Sequence, residues 1–342
     1  MLSEAWVWHG GNDLRLEPWT VPDPGPGQVL LAVRAAGICS TDLHVLDGGV
    51  AFVKPPHVMG HEGAGEVIAL GEGAPAALLG SRVAVDTVIG CGHCRFCLSG
   101  RKHLCPSVQE IGQTIPGMWA RHCVLPVDNL VSIGQTVSFA AATQMETLHC
   151  VLGGVDKLQL LVGERALVLG CGITGILFAS LLKLNGASRV VLTGTRQHRL
   201  EMARRFGADR VINVSEEDLV TTLAGERFDV VVETTGRRES ILQAGRLAEA
   251  GGRVLLFGIP AGGRAEIDVM DAIWREVRYL PTGNAPQVWP RLAELVTSRQ
   301  VDLEPLVDCH LPFERLDEAV RLARTGHDRC VKVVVETPLH PG

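Results

Sequence analysis

The sequence has 342 residues, of which 46% are hydrophobic, so the chain is long enough to bury one large or two medium cores. The formal net charge is −6 and no dense run of Lys and Arg is present, which excludes nucleic acid and an anionic membrane as main partners. The first residues lack the basic and apolar regions of a signal peptide, and no apolar stretch reaches the roughly 18 residues of a membrane span. We therefore expect a cytoplasmic protein that acts on a small molecule.

Short apolar runs separated by Gly and Pro fill residues 1–147 and predict a β-rich domain. The clearest of these runs are VLLAVRAAG at 29–37, GAGEVIALG at 63–71 and SRVAVDTVIG at 81–90.

A cysteine-rich segment, CGHCRFCLSGRKHLC at 91–105, interrupts this domain. It spaces four of the ten cysteines as C-x2-C-x2-C-x7-C, which is typical of zinc bound tetrahedrally by four thiolates: Cys91, Cys94, Cys97 and Cys105. Since all four come from one loop and leave no open position, we expect a structural zinc ion in a reducing compartment, and no disulfide framework. Unligated or disulfide-paired cysteines, an iron–sulfur cluster and a nucleic-acid zinc module are the alternatives.

From residue 148 onward, apolar strands alternate with helical segments, which predicts a parallel sheet covered by helices. A strand at 166–169 leads through a glycine turn into a helix at 176–184, and a second strand ends at Gly194. After residue 286 we expect two amphipathic helices, in WPRLAELVTSR and FERLDEAVRLARTG, and a last strand, CVKVVVE.

The glycine turn GCGITG has the G-x-G-x-x-G pattern of a pyrophosphate-binding turn, in which small residues let the backbone approach the phosphates at a helix N-terminus. Such a turn binds a nicotinamide dinucleotide in many folds. Two later strands end in VVETTG and LLFGIP, where we expect contacts with the nicotinamide half of this cofactor. The candidate contacts of the turn and of these strand ends are Gly170, Gly172, Ile173, Thr174, Gly175, Thr235, Gly258 and Ile259.

The second strand of this domain lacks the acidic residue that accepts hydrogen bonds from the adenosine ribose in NAD-binding folds. Gly194 stands at that place, where an acid would repel a 2′-phosphate and glycine leaves room for one. Thr195, Arg196 and Arg199 follow and can bind the phosphate. We therefore expect NADP, and expect Gly194→Asp with Arg196→Ala to favour NAD. NAD is the alternative if Arg196 is only a solvated loop residue.

The segments GICSTDLH at 37–44 and GHEGAGEV at 60–67, the cysteine-rich segment and GCGITG at 170–175 follow one another as in the zinc-dependent medium-chain alcohol dehydrogenase superfamily. The whole chain resembles this family. The resemblance implies an α/β fold in two domains: a GroES-like catalytic domain of residues 1–147 and 286–342, and a doubly wound Rossmann domain of residues 148–285. It also implies a homodimer or homotetramer.

The resemblance implies that Cys39 and His61 bind a catalytic zinc ion. It also implies that Glu62 either binds this zinc permanently or exchanges with a water molecule as its ligand. Glu146 in METLHC occupies the place where polyol dehydrogenases of the family have Glu, so we expect it to bind the zinc directly or through water. Cys150 lies about one helical turn further on, and a salt-bridge role for Glu146 is the alternative. With the structural site, the chain would hold two zinc ions.

Two further residues match the proton relay of the family. Thr41 and His44 are expected to carry a proton from the substrate oxygen to solvent, a role that suits a histidine. Asp42 is expected to orient His61. Trp119 and Phe52 are candidate walls of a substrate pocket, although large apolar residues are more often part of a core.

We expect an enzyme that reversibly oxidises a secondary alcohol, polyol or sugar-like substrate with NADP(H), because zinc with an open position lowers the pKa of a bound hydroxyl. An NAD-dependent polyol or threonine-type dehydrogenase of the same family is the alternative. A non-catalytic relative on the same scaffold is a third interpretation.

Overall fold

The computed structural model describes residues 1–50, 52–325 and 330–338. The chain divides into two units. The first comprises Met1–His149 and Pro286–Gly342, and the second comprises Cys150–Ala285.

Strands are numbered in chain order. They are β1 (Leu2–Gly10), β2 (Asp13–Thr20), β3 (Gln28–Gly37), β4 (His57–Val58), β5 (Gly63–Leu70), β6 (Arg82–Val85), β7 (Val88–Ile89), β8 (Gln109–Glu110), β9 (His122–Pro126), β10 (Leu130–Ser132), β11 (Arg165–Leu169), β12 (Arg189–Gly194), β13 (Arg210–Asn213), β14 (Phe228–Glu233), β15 (Ala248–Leu256), β16 (Arg278–Pro281), β17 (Val307–Pro312) and β18 (Lys332–Glu336).

The α-helices are numbered in the same way. They are α1 (Ser40–Leu46), α2 (Arg95–Leu98), α3 (Phe139–Ala142), α4 (Met145–Leu158), α5 (Ile173–Leu184), α6 (Gln197–Arg205), α7 (Leu219–Leu223), α8 (Arg238–Leu247), α9 (Val269–Trp274), α10 (Trp289–Thr297) and α11 (Leu316–Thr325). None of the helices in the described ranges has the length and apolar character needed to cross a bilayer.

The first unit is built on a mixed seven-stranded sheet in the order β10-β6-β5-β3-β18-β17, with β9 also paired to β3. Its central strand β3 is buried over almost its whole length, because Val and Leu side chains on both faces are covered. The chain returns from the second unit to add β18 beside β3, with Val334 opposite Gly37. This long-range pairing brings the C-terminal strand next to residues 38–46, which the sequence analysis connects with zinc.

The second unit has a six-stranded sheet, entirely parallel, in the order β13-β12-β11-β14-β15-β16. Numbered within the unit, this order is 3-2-1-4-5-6, which is that of dinucleotide-binding Rossmann domains. Helix α5 begins directly after Gly172 and is buried from Gly175 to Leu182 apart from Ser180, as expected for a helix that covers a sheet face. The predicted α/β fold is therefore present.

Two features of the structure were not predicted. The apolar run at 81–90 is divided into two short strands, β6 and β7, and Asp86 accepts from the backbone N–H of Val88 at the break. The sequence analysis expected no disulfide framework and did not single out Cys309 of β17 and Cys330, which are bonded. The pairing of β17 with β18 holds their Cα atoms 5.9 Å apart, within the range that a disulfide spans. The predicted helix FERLDEAVRLARTG corresponds to α11, and its last residue, Gly326, lies outside the described residues.

Candidate active site and metal sites

The four cysteines of the 91–105 segment converge, and their sulfur atoms lie within 4.8 Å of one another. Sγ of Cys97 lies 3.6 Å from that of Cys94 and 4.0 Å from that of Cys91. Three backbone N–H groups point at two of these sulfurs: that of Cys97 at Cys94, and those of Cys91 and Ser107 at Cys105. Hydrogen bonds of this kind favour thiolates, the form in which cysteine binds metal.

The pKa values of Cys91 and Cys97 differ. The backbone N–H groups of His93 and Cys94 lower the pKa of Cys91 to about 6, whereas burial raises that of Cys97 to about 11. Because four adjacent thiolates repel one another, a cation is needed to hold them all deprotonated. The donor set therefore fits a tetrahedral zinc ion.

A second group of three donors comes from two separate stretches of the first unit. The ligand atoms of Cys39, His61 and Glu62 lie within 4.8 Å of one another. Cys39 is the N-cap of α1, while His61 and Glu62 precede β5, so the start of a helix and the start of a strand meet here. One sulfur, one imidazole nitrogen and one carboxylate form a donor set that suits zinc. Three donors would leave the fourth position of a tetrahedral zinc ion unfilled by this cluster.

Asp42 holds His61 in place. One carboxylate oxygen of Asp42 accepts from the backbone N–H of Cys39 at 2.9 Å, and the other lies 3.2 Å from Nδ1 of His61. Because Nδ1 faces Asp42, Nε2 is the nitrogen available to a metal. Burial lowers the pKa of His61, but the charges of Asp42 and Cys39 outweigh it and the pKa is raised overall. Metal binding at this cluster is therefore coupled to release of a proton.

Glu62 is fully buried and is bound by a residue that the sequence analysis missed. Nζ of Lys332 donates to Oε1 of Glu62 at 2.5 Å, and Thr147 donates to the same oxygen at 3.1 Å. Lys332, at the start of β18, is also buried. Gly37 makes room for the carboxylate, since a Cβ there would lie 2.1 Å from Oε2 of Glu62. A single lysine before an apolar strand carries no motif, so only the pairing of β18 with β3 reveals its role.

Glu146, near the start of α4, lies outside the cluster of Cys39, His61 and Glu62 and groups instead with His149 and Cys150 of its own helix. Burial raises its pKa to about 7, and the charges of His61 and Glu62 act on it in opposite directions. The charges of the cluster thus affect the pKa of Glu146, although Glu146 is not one of its donors. Its role as a zinc ligand remains a prediction. The thiol of Cys150, the other donor considered, points to Asn284 at 3.4 Å.

The relay candidates lie on α1, three residues apart and hence on one face of the helix. Thr41 is partly buried and His44 is exposed, an order that leads from the interior to solvent. Of the two candidate pocket residues, Trp119 is fully buried in the core with its ring against Gly60, which is the alternative that the sequence analysis named. Phe52 is 60% exposed, and its place in a substrate pocket stays a prediction.

A cavity of about 610 Å³ lies at the carboxyl ends of β11 and β12 in the second unit. Seven of the predicted cofactor residues line it: Gly170, Gly172, Gly194, Thr195, Arg196, Arg199 and Thr235. Five others, all within the described ranges, do not: Ile173, Thr174, Gly175, Gly258 and Ile259. The lining residues that the sequence analysis did not assign include Cys171, Glu217, Asp218 and Arg237.

The glycine turn has the shape that a pyrophosphate requires. Gly170 adopts a φ of +118°, which other residues rarely adopt, and a Cβ on Gly175 would lie 2.0 Å from the carbonyl oxygen of Gly170. On the next strand, the buried carboxylate of Glu233 accepts from the backbone N–H and the hydroxyl of Thr235, which fixes Thr235 at the cavity. The turn is therefore a cradle that side chains would fill.

At the end of β12, Gly194 lines the cavity, although a Cβ built on it would point at Cys171 and lie 2.2 Å from its Sγ. That glycine leaves room here for a phosphate stays a prediction. Arg196 lines the cavity, and no residue in the described part of the chain forms an ion pair or hydrogen bond with its side chain. The guanidinium is thus available to an anion at the position that the sequence predicted.

The Lys332–Glu62 pair leads to a prediction about stability. We expect Lys332→Met to lower the free energy of unfolding by about 3–5 kcal/mol, because it leaves the buried carboxylate of Glu62 without its cation. Adding Glu62→Gln should recover part of this loss, since the amide carries no charge. Urea unfolding of the two variants and the wild type measures both effects. Equal stability of Lys332→Met and wild type would contradict the pairing.

With the geometry described, the family of the chain can be stated. Residues 25–135 match the alcohol dehydrogenase GroES-like domain, and residues 174–298 match the zinc-binding dehydrogenase domain. The chain belongs to the zinc-dependent medium-chain dehydrogenase family. The predicted family, the fold class and the prediction of a dehydrogenase are thereby confirmed.

Similar proteins cover nearly the whole chain. It is 33% identical over 319 residues to the L-threonine 3-dehydrogenase of Pyrococcus horikoshii, with 90% of each chain covered. It is 28% identical to the sorbitol dehydrogenase of Bacillus subtilis, covering 97% of this chain and 96% of that one. The crystal structure of a zinc-binding dehydrogenase from Sinorhizobium meliloti bound to NADP has a TM-score of 0.90 at 29% identity, covering 98% and 99% of the chains.

Proposed function

We propose that the protein reversibly oxidises an alcohol to a ketone or aldehyde, passing a hydride to NADP. The observation that carries this proposal is the cluster of Cys39, His61 and Glu62, three metal donors with no fourth protein atom among them. A closed site such as the four-cysteine segment has no place for a substrate, whereas this cluster has one.

Zinc, when bound, supplies Lewis acidity to a substrate oxygen. The residues of the chain do the rest. Asp42 orients His61, and Lys332 and Thr147 fix Glu62, so that the donors stay in place. Thr41 and His44, on one face of α1, carry the hydroxyl proton to solvent. The second unit binds the dinucleotide in the cavity beside Gly170, and thereby provides the hydride acceptor.

The substrate is a secondary alcohol, a polyol or a sugar-like molecule. Two similar proteins, a threonine dehydrogenase and a sorbitol dehydrogenase, are named for hydroxyl-bearing substrates, which supports this class. The same similarity favours a second candidate, an NAD-dependent polyol or threonine-type dehydrogenase. A panel of secondary alcohols, polyols and L-threonine, each with NAD and NADP, separates the candidates. Turnover of none of them by zinc-loaded protein would favour a non-catalytic relative.

Preference for NADP rests on Arg196. Its side chain lines the cavity without a protein partner among the described residues, and the neighbouring Gly194 offers no carboxylate to repel a phosphate. Thr195 and Arg199 line the same part of the cavity. The NADP-bound dehydrogenase of S. meliloti gives further support.

We expect wild-type kcat/KM to be higher with NADP than with NAD. Arg196→Ala should lower kcat/KM for NADP by about tenfold to a hundredfold, the equivalent of losing one charged hydrogen bond, and leave that for NAD unchanged. Arg204→Ala is the matched control, because Arg204 is exposed on α6, the helix that Arg196 caps, but does not line the cavity. A wild-type preference for NAD would contradict the proposal and favour the second candidate.

The chain self-associates through α9 and β16. Four apolar residues of α9 are 60–79% exposed: Val269, Met270, Ile273 and Trp274. Strand β16 follows at the edge of the sheet and pairs only with β15 within the described residues, so its outer edge can hydrogen-bond to a second chain. We expect light scattering to show a dimer or tetramer, and we expect Trp274→Glu to lower the measured molar mass. Val162→Glu is the control and should leave the molar mass unchanged, because Val162 is an apolar residue, 87% exposed, outside α9 and β16.

A further inference from the structure

Glu233, the last residue of β14, is completely buried. One oxygen of its carboxylate accepts from the backbone N–H of Thr235 at 2.8 Å and from the hydroxyl of Thr235 at 2.5 Å. The other oxygen accepts from the backbone N–H of Gly236 at 3.1 Å. Because both oxygens accept from N–H groups, these contacts favour the ionised carboxylate.

The negative charge of Glu233 has no cation beside it. No Lys, Arg or His side chain in the described ranges forms an ion pair with this carboxylate. Glu62 is equally buried, but its carboxylate is paired with Lys332. Neutral hydrogen bonds lower the cost of burying a charge without cancelling the charge itself. Glu233 is therefore a source of negative potential inside the second unit.

Glu233 connects the two strand ends that the sequence analysis assigned to the nicotinamide half of the cofactor. Its side chain holds Thr235 after β14, and its backbone carbonyl accepts from the N–H groups of Phe257 and Gly258 after β15, both at 3.0 Å. Gly258 lies directly against the carboxylate, since a Cβ on it would be 2.8 Å from Oε2 of Glu233. Both strand ends therefore depend on Glu233 for their positions.

The strand order indicates on which part of a dinucleotide this charge acts. The order of the sheet reverses between β11 and β14, and a dinucleotide bound at such a point has one mononucleotide half on each side. The glycine turn and Arg196 follow β11 and β12, which leaves the side of β14 to β16, with Glu233, for the nicotinamide half. The nicotinamide ring is positively charged when oxidised and neutral when reduced, whereas the phosphates keep their charge. A buried carboxylate on this side therefore distinguishes the two forms.

We propose that Glu233 is a positioning residue of the dinucleotide site, which orders the ends of β14 and β15 and by its charge favours binding of the oxidised nicotinamide over the reduced one. The proposal rests on the proposed binding of a nicotinamide dinucleotide, and it holds for NAD and NADP alike. It assigns Glu233 no contact with the reacting atoms and no part in proton transfer. Since alcohol oxidation begins with the oxidised cofactor, the charge favours the complex from which that reaction starts.

The test is equilibrium binding of both forms of the cofactor to the zinc-loaded protein. Titration with NADPH, followed by nucleotide fluorescence, gives one Kd, and displacement of NADPH by NADP⁺ gives the other. Glu233→Gln keeps the shape of the side chain but removes its charge, and we expect it to raise the ratio of Kd for NADP⁺ to Kd for NADPH by at least about fivefold. Partial unfolding of the variant weakens both complexes by the same factor and leaves the ratio unaffected. An unchanged ratio would overturn the proposal.

Two further variants separate the charge from the structure. Thr235→Val removes one hydrogen bond to the carboxylate but keeps its charge, so both Kd values should rise by the same factor and the ratio should stay at the wild-type value. Glu249→Gln removes a half-exposed carboxylate near the start of β15 and should change neither Kd. A ratio raised as much by either variant as by Glu233→Gln would overturn the proposal. Wild-type protein that binds neither form of NADP or NAD would contradict the proposed function, and this proposal with it.

Discussion

His61→Ala is expected to lose more than about a thousandfold of kcat/KM for the alcohol, because a metal that has lost a ligand no longer supplies several kcal/mol of Lewis-acid stabilisation. Dinucleotide affinity should remain close to that of the wild type, since the residues around Gly170 and Arg196 belong to the second unit and His61 to the first. Steady-state kinetics and equilibrium binding of NADPH measure the two effects on the same preparation.

The control for this experiment is His122→Ala. His122 belongs to the same unit and is partly buried, but its Nδ1 contacts Ser3 and no metal donor. Asp42→Asn should give an intermediate loss, about tenfold to a hundredfold, because it weakens the support of His61 without removing the ligand. If His61→Ala kept near wild-type turnover, the cluster of Cys39, His61 and Glu62 would not be the catalytic centre.

The sequence was informative wherever chemistry depends on local spacing. The four-cysteine segment and the glycine turn are complete within fifteen and six residues, so their geometry follows from the loop itself. The alternation of strands and helices also allowed the parallel sheet to be predicted, because each strand–helix–strand unit is local and has only one favoured handedness. Cys39 and His61 were predicted only because their surrounding segments resemble a family.

Contacts between distant stretches were not predictable in this way. Lys332 reaches Glu62 across 270 residues, and nothing in KVVVE distinguishes a lysine that pairs with a buried carboxylate from one at a strand end in solvent. Cys309 and Cys330 likewise meet only because β17 lies beside β18. Each of these contacts is set by sheet register, which depends on how the whole chain packs.

Gly194 shows how far a sequence argument reaches at a strand end. Its missing side chain was expected to leave room for a phosphate, and in the structure Gly194 lines the cavity of the second unit. The motif G-x-G-x-x-G treats the residue after the first glycine as free to vary. In the folded unit that residue, Cys171, packs against Gly194 on the next strand, a contact that the motif alone does not indicate.

Chelation is expected to separate the two proposed metal sites. Purified protein should contain two zinc ions per chain, and dialysis against a chelator should remove one of them and abolish activity with little change in Tm. The cluster of Cys39, His61 and Glu62 has an open position through which a chelator can bind the metal. Samples taken along one dialysis series are measured for zinc content, for turnover and for Tm, so that the loss of the first ion is compared directly with the loss of activity.

The second ion should leave only when the protein unfolds. Four thiolates close the site in the 91–105 segment, and structural zinc sites of this type have apparent binding free energies of about 10–16 kcal/mol. The helix of this segment, α2, has four residues and no buried side chain, so it adds little to the packing of the loop. Cys94→Ser should therefore lower Tm, and it should reduce the zinc content to one ion per chain. The chelated wild type should also hold one ion per chain but keep its Tm, because it loses the other ion. One zinc ion in carefully purified wild-type protein, or the simultaneous loss of both ions at the onset of unfolding, would contradict this assignment of an open and a closed site.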